Sequence, residues 1–186
     1  MKTTTSSKGF TLVELLVVVS LLALLATKAV PSLNKLIQNS QRTAAISELR
    51  QFLALARRHS VMTGQIVTVC PTGPDGKCGR NWNGPVSMFA DPSNQRTLLQ
   101  GTQVNAVLPP PKFGKFIVRS LTRSYFQFRP NGFIYSDLGN ITWCPDSGEA
   151  SLAGQLIISR SGRIRTATDS NGDGVVDDAK GKPVRC

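Results

Sequence analysis

Apolar residues crowd into one stretch near the start of the chain. From Phe10 to Val30, 21 residues run with only Glu14 and Lys28 charged. As a helix this stretch rises about 32 Å, enough to cross the hydrocarbon of a bilayer. Past Pro31 the pattern changes to three- and four-residue spacing: Leu33, Leu36 and Ile37, then Ala45, Leu49, Phe52, Leu53 and Ala56. Gln38, Gln41, Arg42, Arg50, Arg57 and Arg58 occupy the other faces. That period predicts an amphipathic helix reaching about Gly64, with one stripe laid on a folded domain. Pro31 is expected to kink it or disrupt its backbone bonds locally.

After Gly64 the texture becomes short β-like runs punctuated by Gly, Pro, Asn and Asp. Candidate strands cover 66–70, 86–90, 97–99, 104–108, 116–121, 125–129, 132–136, 141–144, 155–160 and 163–167. Arg129-Pro130-Asn131-Gly132 and Arg160-Ser161-Gly162 read as tight turns, and Pro109-Pro110-Pro111 as a stiff connector. The expected architecture is α+β, one long N-terminal helix packed on an antiparallel β domain. Its expected segments are a polar leader 1–9, an apolar helix 10–30, an amphipathic helix 31–64 and a β-rich domain 65–186.

Charge narrows the class of partner. The 186 residues carry 22 Lys+Arg against 11 Asp+Glu, a net charge of +11. Such an excess suits an acidic partner, nucleic acid or an anionic membrane surface. One His and no paired catalytic carboxylates argue against an enzyme, and nothing points to a cofactor. Lys2 and Lys8 in the leader keep it cytoplasmic and direct the rest of the chain outward.

The junction before the apolar run, Lys8-Gly9-Phe10-Thr11-Leu12-Val13-Glu14, resembles the class III signal of type IV prepilins. The resemblance implies cleavage between Gly9 and Phe10 by a prepilin peptidase, N-methylation of Phe10, and assembly with other pilin subunits. It also implies a single-pass inner-membrane protein with a periplasmic C-terminal domain that later joins an extracellular pilus fibre. A carboxylate at the start of a membrane helix is costly and marks a function, so Glu14 is the candidate for filament assembly. In a central helix bundle it could pair with a neighbour's amino terminus; the alternative is a Glu at headgroup level.

The middle of the chain resembles the GspH/FimT family of minor pilins and pseudopilins. The resemblance rests on Cys70-Pro71-Thr72, on Trp82-Asn83-Gly84-Pro85 with Phe89-Ala90-Asp91, and on Phe128-Arg129-Pro130-Asn131-Gly132. It implies a type IV pilin-like fold. One departure is Gly84-Pro85, where the family has Gly-Trp. Trp82, Trp143 and the Phe residues are expected in the core.

All four cysteines lie on the exported side, where disulfides persist. Three pairings are open; Cys70–Cys78 and Cys144–Cys186 are favoured, the second tying down the chain end, with zinc as the competing use. Asp169-Ser170-Asn171-Gly172-Asp173-Gly174 matches the opening of a calcium loop, with Asp169, Asn171, Asp173 and Asp177 as candidate ligands. The match fails at position 12, Lys180, and a Gly/Asp-rich turn is the plainer alternative.

Eight basic residues fall between 112 and 165: Lys112, Lys115, Arg119, Arg123, Arg129, Arg160, Arg163 and Arg165. On a strand, Arg163 and Arg165 share one face about 7 Å apart while Ile164 turns to the other. Guanidinium forks suit phosphate oxygens. Gly162-Arg163-Ile164-Arg165 resembles the Gly-Arg-x-Arg motif of FimT-type pilins, which implies binding of extracellular DNA for uptake in natural transformation. On that implication Gly162, Arg163 and Arg165 lead the DNA candidates. Arg160, Lys112, Lys115, Arg119 and Arg123 follow on charge alone. The competing reading is a structural minor pilin that primes assembly, or a type II secretion pseudopilin, whose basic run is a solvated face.

Overall fold

The computed structural model describes residues 9, 11–98, 101, 104–120 and 122–186, and only the backbone of residues 26 and 28–31. It divides into two units, residues 1–38 and 39–186. A single helix, α1 (Leu12–Thr63), contributes its first half to one and its second half to the other. The helical backbone runs unbroken through position 31. The boundary at 38/39 places the rear half of α1 in the β-rich unit.

In the first unit α1 opens with a capping box. Thr11 Oγ1 accepts the Glu14 N–H at 3.2 Å, and Glu14 Oε2 accepts the Thr11 N–H at 2.9 Å. Behind it Leu12, Leu15, Leu16, Leu21, Leu22, Leu24 and Leu25 are all more than half exposed. A helix apolar on every side needs covering by lipid or protein. Among the described residues no helix is long and apolar enough to cross a membrane. The expected span of 10–30 begins at Phe10, outside the described residues.

In the second unit α1 buries Ile46, Leu49, Phe52, Leu53 and Ala56 along one stripe. Gly64, with φ of 67°, ends the helix. Buried Ser60 donates its hydroxyl hydrogen bond at the carbonyls of Gln65 and Phe128, tying the helix end to the sheet. Two four-stranded antiparallel sheets follow. The first contains β1 (Val67–Pro71), β2 (Val86–Ala90), β3 (Val104–Leu108) and β5 (Phe126–Phe128), in the order β3-β2-β1-β5. The second contains β4 (Gly114–Ser120), β6 (Gly139–Pro145), β7 (Gly154–Ile158) and β8 (Ile164–Thr166), in the order β4-β6-β7-β8. The helix stripe meets Val67, Val69, Met88, Phe126 and Phe128 of one sheet and Phe116, Ile141, Trp143, Leu156 and Ile158 of the other in one core. Trp82 also lies in it, donating to the Ser124 carbonyl at 2.8 Å.

Two sequence-predicted strands are absent. Thr97 makes only an isolated bridge to Lys77, and Leu99 lies outside the described residues. The 132–136 segment reduces to a bridge between Ile134 and Phe128. Its N–H groups are divided: Ile134 donates to the Arg160 carbonyl and Tyr135 to that of Gln127, so no single ladder forms.

The four cysteines form two disulfides, Cys70–Cys78 and Cys144–Cys186. The second explains why β6 is buried on both faces. Its inward side chains, Ile141 and Trp143, enter the core; its outward ones, Thr142 and Cys144, face the returning C-terminal tail. Val184 of that tail is buried, and the Arg185 carbonyl accepts a hydrogen bond from Arg119 at 3.3 Å.

Candidate nucleic-acid interface

The hairpin joining β7 to β8 presents the leading candidates. Ser159 donates its N–H to the Arg163 carbonyl at 3.0 Å, and Gly162 donates to Ser159 at 2.9 Å. Gly162 has φ of 73°, and a Cβ there would fall 1.9 Å from the Gly132 carbonyl oxygen. Arg57 of α1 clamps the two turns, with Nε 2.9 Å from the Gly132 carbonyl and Nη2 3.5 Å from that of Ser161. Gly162 is therefore buried. It shapes the turn and offers no contact surface, which corrects its place among the DNA-contacting residues. β8 begins one residue late, at Ile164, so Arg163 flanks the strand that carries Arg165. Both arginines are exposed, while Ile164 packs against the core.

Strand register adds a partner from the far edge of the sheet. Arg119 pairs with Asn140, Asn140 with Ile157, and Ile157 with Arg165. Paired residues share a face, so the two arginines stand at opposite ends of one cross-strand row, about 14 Å apart over three strand spacings. Between them runs a groove of 520 Å³ lined by Arg119, Leu138, Asn140, Ile157, Ser159 and Arg165.

The other basic candidates scatter. Lys115 shares the outward face of β4 with Arg119, four residues along. Arg160 is exposed at the hairpin turn. Arg123 is committed elsewhere: it lies 3.8 Å from Asp137 and hydrogen-bonds the Tyr125 hydroxyl. Thr122 donates two hydrogen bonds to Asp137 and, with help from Arg123, holds that carboxyl below its ordinary range. Lys112 sits apart, in a hollow between α1 and the proline run. Among the described residues the ion pairs are Lys77–Asp75 and Arg123–Asp137, so Arg119, Arg160, Arg163 and Arg165 have no carboxylate partner there. Asn140, Ser159, Lys182 and Arg185 were missed, because only strand register and the tail's return bring them to this face.

The tail loop is closed by its own backbone. Asp169 accepts the N–H groups of Gly174 and Gly172, which hold its carboxyl below the ordinary value. Asn171 accepts from Asp173, Asp173 from Val175, and Asp177 from Ser170. Among the described residues no three His, Cys, Asp or Glu are grouped to hold a metal ion. The arrangement is that of a hydrogen-bonded turn. Phe10, the expected N-methylation site, lies outside the described residues, and Gly9 before it is exposed.

Comparison with known families settles the class. The model of the type II transport protein GspH matches residues 45–162. This chain belongs to the GspH family. The prokaryotic N-terminal methylation motif matches residues 4–27, which places this GspH-family chain among pilins anchored in the inner membrane before assembly. It is accordingly a member of the minor pilin and pseudopilin class, whose subunits are structural proteins. The type IV minor pilin FimU of Pseudomonas aeruginosa has a similar fold: TM-score 0.51, 16% identity, covering 79% of this chain and 96% of that one. The minor pseudopilin EpsH of the Vibrio cholerae type 2 secretion system gives a TM-score of 0.48 at 10% identity, covering 68% and 95%. No curated protein sequence matches the chain.

Proposed function

We propose that this GspH-family protein is a non-enzymatic minor pilin that captures extracellular DNA for uptake. One observation carries the reading: Arg163, Arg165 and Arg119 are exposed on one sheet face without carboxylate partners among the described residues. Contacts of guanidinium to phosphate need no base sequence, so binding is sequence-independent. In this reading the leader is removed between Gly9 and Phe10 by prepilin peptidase and the new terminus is methylated. The apolar helix spans the inner membrane once, with the C-terminal domain in the periplasm, until the subunit joins the fibre. Glu14 then exchanges its capping contact with Thr11 for the amino terminus of a neighbouring pilin.

The test is fluorescence anisotropy with labelled DNA and the full chain in non-ionic detergent. R163Q/R165Q should weaken binding at low salt by at least about tenfold, the loss of two phosphate contacts. Unchanged affinity would move the site elsewhere. A second reading keeps the same anchor without DNA: a structural minor pilin or type II secretion pseudopilin, favoured by the GspH match itself. Wild-type protein that binds no DNA, in a strain whose surface fibres vanish on deletion, would select it.

A further inference from the structure

The next step rests on the DNA-binding reading and concerns the form of DNA that the site takes. On the tail side of Arg119 lies a second hollow, of 500 Å³, lined by Arg119, Asn140, Gln155, Asp178, Lys182 and Arg185. Arg119 and Asn140 also line the groove of Arg165, so the two hollows adjoin. Three cations here face one carboxylate. Asp178 Oδ1 already accepts the N–H groups of Lys180 and Lys182.

The polar groups within this hollow are incompletely used. Gln155 is 1% exposed; its Nε2 donates to Thr142 Oγ1 at 2.9 Å, and its Oε1 has no partner. Asn140 Oδ1 is likewise buried and unpaired. Buried amide oxygens are costly without a donor. A ligand that satisfied the whole hollow would bring N–H donors and negative charge together.

We infer that the hollow receives an unpaired nucleotide, and hence that the protein prefers single-stranded DNA. The N–H groups of the base meet Asn140 and Gln155, while phosphates on either side meet Arg119, Lys182 and Arg185. The strand then continues along the groove to Arg165 and Arg163. In a duplex the Watson–Crick edges are paired and the bases are stacked, so a base cannot leave the helix to enter the hollow without losing its pairing and stacking. The Cys144–Cys186 bond fixes the neighbour of Arg185 and so holds this cation at the hollow.

The experiment titrates the full chain in non-ionic detergent with a labelled oligonucleotide of about 20 nucleotides and with its duplex, at matched salt. Single-stranded DNA should bind at least about fivefold tighter. Lys182 and Arg185 are exposed, so K182Q/R185Q tests the hollow without disturbing the core. It should weaken single-strand binding about tenfold and duplex binding less than about twofold. Equal affinity of the wild type for both forms, or an equal loss on both in K182Q/R185Q, overturns the inference while leaving DNA capture standing. Binding of neither form removes DNA capture and this inference with it.

Discussion

Gly162 shows how a motif residue can serve a binding site without touching a ligand. Its left-handed φ costs an alanine roughly 1–2 kcal/mol, before any clash. The Gly132 carbonyl would lie 1.9 Å from the added Cβ, so the two turns would have to part. Gly162→Ala should therefore destabilise the protein by about 2–4 kcal/mol, read as a lower Tm or denaturation midpoint. A variant as stable as wild type would show that the turns are not packed this way. Arg57 bridges the same two turns, so losing its guanidinium should loosen the hairpin and broaden the resonances of Arg163 and Arg165. None of this was legible in the sequence. A Gly before an Arg reads as a turn residue, but the opposing carbonyl comes from 30 residues earlier. The capping box was legible in principle, since Thr11-Leu12-Val13-Glu14 has the required spacing. The same carboxylate that marks a membrane helix start closes this local bond.

At the scale of elements, what the sequence predicted well is what local periodicity encodes. The buried stripe of α1 follows three- and four-residue spacing, and β2 and β3 occupy the short runs between turn residues that announced them. The 132–136 run failed because its backbone donors divide between two partners, which no local pattern records. The tail was legible in part: the favoured Cys144–Cys186 pairing anticipated its anchorage, while its return across the face of Arg119 was not readable locally. That anchorage has measurable consequences. Cys144–Cys186 closes a 42-residue separation and Cys70–Cys78 one of 8. Chain-entropy arithmetic gives about 4 kcal/mol for the longer loop and about 2.5 kcal/mol for the shorter. Replacing Cys144 and Cys186 by Ser should thus lower unfolding free energy more than replacing Cys70 and Cys78, as denaturant titration would show. The reverse order would mean that the tail contributes little to the fold. Acid should act on the same region. Asp169 and Asp178 have carboxyls held below the ordinary 3.8 by backbone N–H donors, Gly174 first for Asp169 and Lys182 first for Asp178. A depressed folded pKa contributes stability above the unfolded pKa, and this is lost as pH falls through the folded value. The amides of Gly172, Gly174 and Lys182 should therefore lose exchange protection below about pH 4, after correction for intrinsic rates. Protection that persists there would mean that these carboxylates do not hold the loop.

For the whole molecule, the +11 charge raises the question of whether DNA would be drawn to particular side chains or merely to a cationic body. Salt dependence separates these. Each phosphate neutralised releases condensed counterions, giving a slope of log K on log salt near −0.7 per contact for single strands and −0.9 for duplex. The five contacts of Arg119, Arg163, Arg165, Lys182 and Arg185 on a single strand predict about a 130-fold loss of affinity from about 50 to 200 mM salt. If Arg163 and Arg165 each grip a phosphate, R163Q/R165Q should make the slope shallower by about 1.4 on single-stranded DNA. R50Q/R58Q removes the same two charges from exposed positions on α1, away from this sheet face, and should leave the slope nearly unchanged. Equal slopes in both double variants would reduce the interaction to diffuse attraction by net charge. Weak single-subunit affinity would not by itself count against capture, since a fibre that displays several copies raises the effective local concentration of sites along one strand. The slope is the sharper observable because it counts contacts per subunit, whatever the avidity of the assembled fibre.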